Sequence, residues 1–229
     1  MTSKTKSMYY MELAGSYCSP SGREWLYNVY SKLKAPFDES FFATAYSGAR
    51  RRLGNPVIGL EAGELPNFEN EDLSVLMGST VEGVGRAALL LRATESLPAE
   101  AHPNFVHRVY QRGDTHERKA LLRALSVLPD PGRFLSTAVE ACRTNISTIF
   151  EAIACDNPYP FHYFSDLHFN QMVLKALFTE SSLSRVVGLP TRITHDLVLM
   201  VEDYASERRA AGRHLPEDIA LISANRKPK

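Results

Sequence analysis

Apolar residues recur at three- and four-residue intervals through almost the whole chain, and strand-like alternation is nearly absent. That periodicity restricts the fold to helices, each burying one stripe against a neighbour. Ser21-Gly22-Arg23-Glu24 has the form of a capping box, and Trp25, Leu26, Val29, Tyr30 and Leu33 follow at helical spacing. Asp38 is placed to cap a second helix carrying Phe41, Phe42, Ala45 and Tyr46, with Gly48 as its stop. Residues 54–70 hold three glycines and two prolines and read as a long loop. A glycine-interrupted helix is expected from Glu71 to Thr94, and a short one from Asn104 to Tyr110 ending at Gly113. Asp114 with Glu117 predicts a capped helix striped by Leu121, Leu122, Leu125 and Leu128. Asp130-Pro131 opens another that carries Phe134, Leu135, Ala138, Val139 and Cys142, and Asn145 is the expected cap for Ile146, Ile149, Phe150 and Ile153. Asn157-Pro158-Tyr159-Pro160 breaks the chain, and residues 161–179 and 194–212 supply two longer helices. Short connections between helices favour antiparallel neighbours. The expected fold is all-α, a single domain over residues 1–229. Its antiparallel helical hairpins stack as a HEAT-like α-solenoid or form an irregular helical array, with no repeat of fixed sequence period.

Composition narrows the function classes. The 26 Lys and Arg balance the 26 Asp and Glu, so the basic surplus of a phosphate-backbone binder is missing and no nucleic-acid partner is expected. No apolar run reaches the ~20 residues of a membrane span. The polar start, with no apolar signal core behind it, predicts a cytoplasmic protein. Cys18, Cys142 and Cys155 lack metal or redox spacing and read as small buried hydrophobes of a reducing compartment. The pairs His102/His107 and His162/His168 share no helix face, so neither metal nor cofactor is expected. Gly83-Val84-Gly85-Arg86-Ala87-Ala88 matches a dinucleotide fingerprint as a string but lacks the preceding strand, and its glycines are better explained by close helix packing. No nucleophile elbow, P-loop or zincin motif occurs. Arg50-Arg51-Arg52 reads as a solvated basic turn.

What singles out the chain is polar residues on apolar stripes. At 100° per residue, Tyr163, Phe164, Leu167, Leu174, Leu177 and Phe178 fall in one arc, and Asn170 and Gln171 fall inside it. Such amides need partners: the backbone of the Asn157–Pro160 turn, or a ligand cavity between helices. Lys175, at the edge of the arc, seeks Asp203, Glu207 or a ligand carboxylate or phosphate. In the last long helix, Arg208 projects into the stripe of Leu197, Met200, Val201, Tyr204, Ala205 and Ala211. Asp203 and Glu207 lie at its edge, with Arg143, Arg192 and Arg213 as candidate cationic partners. The candidate ligand-binding set is therefore Asn157, Tyr159, Tyr163, Asn170, Gln171, Lys175, Asp203, Glu207 and Arg208, with the tyrosines and Phe164 as apolar walls. No catalytic residue is singled out.

Arg143-Thr144-Asn145, Phe150-Glu151-Ala152-Ile153-Ala154, the Asn157–Pro160 turn, Tyr163-Phe164 and the unbroken run Asn170–Phe178 together resemble the core of the EboA family. Asp203-Tyr204-Ala205, Glu207-Arg208 and Ala210–Arg213 complete the resemblance. It covers residues 99–220, with a looser match over 1–98 at Ala45-Tyr46-Ser47 and Arg50–Gly54. Arg209 stands where the family has Trp, and Thr194 where it has Asn. The resemblance implies company with biosynthetic operons, including those of scytonemin-type pigments and a UbiA-like prenyltransferase, and assigns no reaction. The expected function is a non-catalytic accessory role in secondary-metabolite biosynthesis or export. The partners would be a small metabolite or pathway enzymes, and a homodimer is possible in such a role. The alternative is a small cofactor-free enzyme working in a cleft of the C-terminal helices.

Overall fold

A computed structural model describes residues 5–60 and 78–223. Twelve α-helices and several 3₁₀ turns make up these residues, and their one β feature is an isolated bridge between Val57 and Thr80. The all-α expectation holds. The chain divides after Thr137 into two compact units, the boundary falling within a helix.

The first unit contains α1 (Lys6–Tyr17), α2 (Pro20–Lys32), α3 (Glu39–Leu53), α4 (Val81–Ser96), α5 (His102–Arg112) and α6 (Thr115–Ala124). Helix α4 is its centre. It packs against α1, α2, α3 and α6, and twelve of its sixteen residues are buried. A helix surrounded on this many sides belongs to an irregular array, since in a solenoid each hairpin touches only the next. Gly85 allows the crowding: a Cβ there would stand 2.3 Å from Leu53 Cδ1. The packing role expected for this glycine is what the structure shows, and Gly83–Ala88 runs as ordinary helix.

Side-chain caps open seven of the twelve helices. Asp38 Oδ1 accepts from the Phe41 N–H at 2.9 Å. Asp114 and Glu117 form a complete capping box, each side chain accepting from the other's backbone N–H. Three expected boundaries shift. Helix α2 begins at Pro20 with Ser19 as its cap, not in the Ser21 box, because proline fits the first turn. Helix α3 runs through Gly48 and stops at Gly54, whose φ of 79° suits glycine. The helix expected to be capped by Asn145 starts at Ser147 after Ile146 with no side-chain cap, while Thr144 Oγ1 accepts from the Ile146 N–H just before it. The expected loop 54–70 and the helix from Glu71 lie partly outside the described residues; helix is present from Val81, capped by Thr80.

Helix α7 (Leu135–Cys142) crosses the boundary. The second unit continues with α8 (Ser147–Ala154), α9 (Tyr159–Tyr163), α10 (Asp166–Phe178), α11 (His195–Ala210) and α12 (Ile219–Ser223). The helix expected over 161–179 is in fact two. Phe164 is extended, and Ser165 caps α10 by accepting from the His168 N–H. Ile149, Phe150, Ile153, Phe169, Met172, Val173, Leu197 and Val201 form this unit's core.

Candidate functional site

Helix α10 buries mainly the face opposite the expected arc. Its buried face is Phe169, Asn170, Met172, Val173, Ala176 and Leu177, whereas Leu167 and Phe178 are 62% and 56% exposed. Gln171 is on the surface, so it needs no internal partner. Asn170 is buried, but it does not reach the Asn157–Pro160 turn. Its Nδ2 donates to Thr194 Oγ1 at 2.9 Å, and that hydroxyl also caps α11 by accepting from the Leu197 N–H. Asn170 Oδ1 is buried with no hydrogen-bond partner among the described residues.

The turn is satisfied by others. Asn157 Nδ2 donates to Ala152 O at 2.8 Å, and its Oδ1 accepts from the Tyr159 N–H at 3.0 Å. Arg192 donates to the Pro160 and Phe161 carbonyls and to Asp166, with its guanidinium 4.4 Å from the Phe169 ring centroid. Tyr159 is fully buried against Tyr163 and Phe164, and that burial raises its hydroxyl pKa.

Lys175 corrects a second expectation. Its Nζ donates to Cys142 O and Thr144 O, both at 2.6 Å, and sits over the Phe150 ring. It meets neither Asp203 nor Glu207, because the end of α7 offers unpaired carbonyls that attract a cation. Asp203 and Glu207 are exposed and have no ion pair among the described residues, and Arg192 is committed to Asp166. Arg208 is only half-buried, its Nε donating to His214 O at 2.7 Å beside the Tyr204 ring.

The nine expected residues therefore do not converge. Gln171 and Lys175 line one pocket of about 310 Å³ with Val139, Cys142, Arg143, Phe164, His168 and Met172. Arg208 lines another, beside Leu177, His214, Pro216, Glu217 and Asp218. Asn157, Tyr159, Tyr163, Asn170, Asp203 and Glu207 line neither. In the first of these pockets burial pushes the Cys142 thiol up to about 12, so it stays protonated and is no nucleophile at neutral pH.

A third cavity, of about 240 Å³, lies in the first unit between α1, α4 and α6. Tyr10 comes from α1, and Glu82, Gly83, Val84 and Ala87 from the first turns of α4. His116, Lys119, Ala120, Arg123 and Ala124 come from α6, followed by Val127, while Asn55 and Gly78–Thr80 form the rim. The Val57–Thr80 bridge anchors that rim: Ile58 N–H donates to Ser79 O and Val81 N–H to Pro56 O. Spacings of three and four place the α6 residues on one face, while Leu121 and Leu122 fill the core. Glu82 pairs with Arg86 one turn on, both buried, and Arg86 also donates to Tyr46 O. The Arg50 guanidinium donates to His116, whose pKa is lowered by burial and by Arg50. A neutral imidazole is the form that can accept that bond.

Of these cavity residues, Gly83, Val84 and Ala87 stand out in sequence only within the Gly83–Ala88 string, and none of them reads there as part of a ligand site. A signal existed, since His116, Lys119 and Arg123 share one edge of a capped helix. Nothing local tells that edge from a solvated one, and Tyr10 joins it from more than a hundred residues away.

The family described as Metabolite traffic protein EboA matches residues 11–222. The chain belongs to the EboA family. The match spans the N-terminal half as well as the 99–220 core, so it covers α4 and α6, which supply most of the cavity wall. No curated protein and no solved structure matches the chain. No helix among the described residues is long and apolar enough to cross a membrane. No group of three or more His, Cys, Asp or Glu among them could hold a metal ion.

Proposed function

We propose that the protein is a non-catalytic carrier that holds a small metabolite in the cavity of its first unit, between steps of a secondary-metabolite biosynthesis or export pathway. The cavity is the observation that carries this reading. Its lining combines apolar Val84, Ala87, Ala120, Ala124 and Val127 with a few polar groups, the usual make-up of a small-ligand site. Its volume is just under the ~300–1,000 Å³ of drug-sized sites, so it suits a small molecule or one end of a larger one. The family's description as a metabolite traffic protein supports the same role.

A cofactor-free enzyme is the second reading. His168 favours it: the residue lines the pocket of Gln171 and Lys175, and its Nδ1 is buried without a partner among the described residues. One experiment separates the two. The protein is incubated with an extract of the producing pathway, recovered, and analysed by mass spectrometry. Retention of one compound in stoichiometric amount, lost in Ala120→Phe, is expected of the carrier. Conversion of a compound by catalytic amounts of protein, abolished in His168→Ala, would replace the carrier with the enzyme.

A further inference from the structure

We propose that the cavity of the first unit selects an anionic ligand, with Lys119 as counter-ion to its carboxylate, sulfonate or phosphate group and the apolar wall taking its body. The inference rests on the reading of that cavity as the metabolite site.

Four ionisable side chains face the cavity from α4 and α6: Glu82, His116, Lys119 and Arg123. The Glu82 charge is met by Arg86 within the protein. The His116 ring accepts from Arg50 and carries no charge of its own in that role. That leaves Lys119 as the cation the cavity presents to a ligand. Lys119 is half-buried and makes no hydrogen bond or ion pair among the described residues. Its stem is partly covered, and an ammonium at the cavity wall with no anion beside it is placed to pair with a bound anion. Val84, Ala87, Ala120, Ala124 and Val127 meanwhile offer no hydrogen bonds, so a fully hydrophilic anion would leave that wall unused.

Two fluorescent probes of matching shape test this: 8-anilinonaphthalene-1-sulfonate, and N-phenyl-1-naphthylamine, which lacks the sulfonate. The intact protein is expected to bind the sulfonate about tenfold more tightly, the worth of one partly desolvated charged contact. Lys119→Met should erase that preference, leaving the neutral probe's affinity and the melting temperature unchanged. Ala120→Phe should expel both probes, with Ala87→Met as the milder filling variant if the first melts early. Equal affinity for the two probes, or a preference that survives Lys119→Met, overturns the anion inference and leaves the cavity reading standing. Failure of both probes to bind, or binding untouched by either filling variant, removes the cavity reading and this inference together.

Discussion

Asn157 and Asn170 are both buried asparagines of the family core, yet their surroundings give them different weights. Asn157 satisfies a helix-end carbonyl and a turn N–H at once, and its loss strands both in a dry site. Asn170 makes one bond to a hydroxyl that keeps its capping bond without it, and its own oxygen is unsatisfied. Asn157→Ala is therefore expected to cost about 2–3 kcal/mol and Asn170→Ala about 1 kcal/mol or less, measured by urea denaturation. Equal losses would mean that the Thr194 contact supports more of the α10–α11 packing than its single bond implies. The polar character of these residues is plain in sequence, but their partners are not: Ala152 is local to Asn157, whereas Thr194 is 24 positions from Asn170.

At the scale of elements, capping chemistry was the most legible part. The Asp114–Glu117 box and the Asp38 cap need only residues three apart, so local sequence contains the whole interaction. The facing of α10 was not legible. Phe169, Met172, Val173 and Ala176 compete with Leu167, Leu174 and Phe178 for the core, and a helix apolar on both sides gives no preference by period alone. The packing of α8 and α11 against one face of α10 decides. Lys175 then ties α10 to the end of α7. Lys175→Met leaves the Cys142 and Thr144 carbonyls without their cation and is expected to lower stability by about 1–2 kcal/mol, read as an earlier thermal transition. An unchanged melting curve would show that water replaces the ammonium at no cost. In the first unit, Gly85→Val would drive side-chain atoms into Leu53. A loss of about 1–3 kcal/mol is expected, as for other overpacked cores, with helical circular dichroism retained. A stability equal to the parent's would show that α3 and α4 can separate freely.

At the scale of the whole molecule, the carrier reading depends on a cavity whose walls are α1, α4 and α6, and the expected retention of one metabolite tests that assembly. The helical class, the absence of strands among the described residues, the main caps and the packing role of Gly85 were set by the sequence itself, because period, turn residues and steric size act over a few positions. Membership of the EboA family was legible too, in the run from Asn170 to Phe178 and its flanking motifs. Tertiary structure alone decided which face of α10 is buried, that Lys175 serves carbonyls instead of Asp203 or Glu207, and that Tyr10, Glu82 and Lys119 share a cavity. The physical reason is common to all three. Each depends on which charged or apolar group from a distant segment arrives first at a desolvated position, and a helical period fixes direction around one axis without specifying what lies opposite.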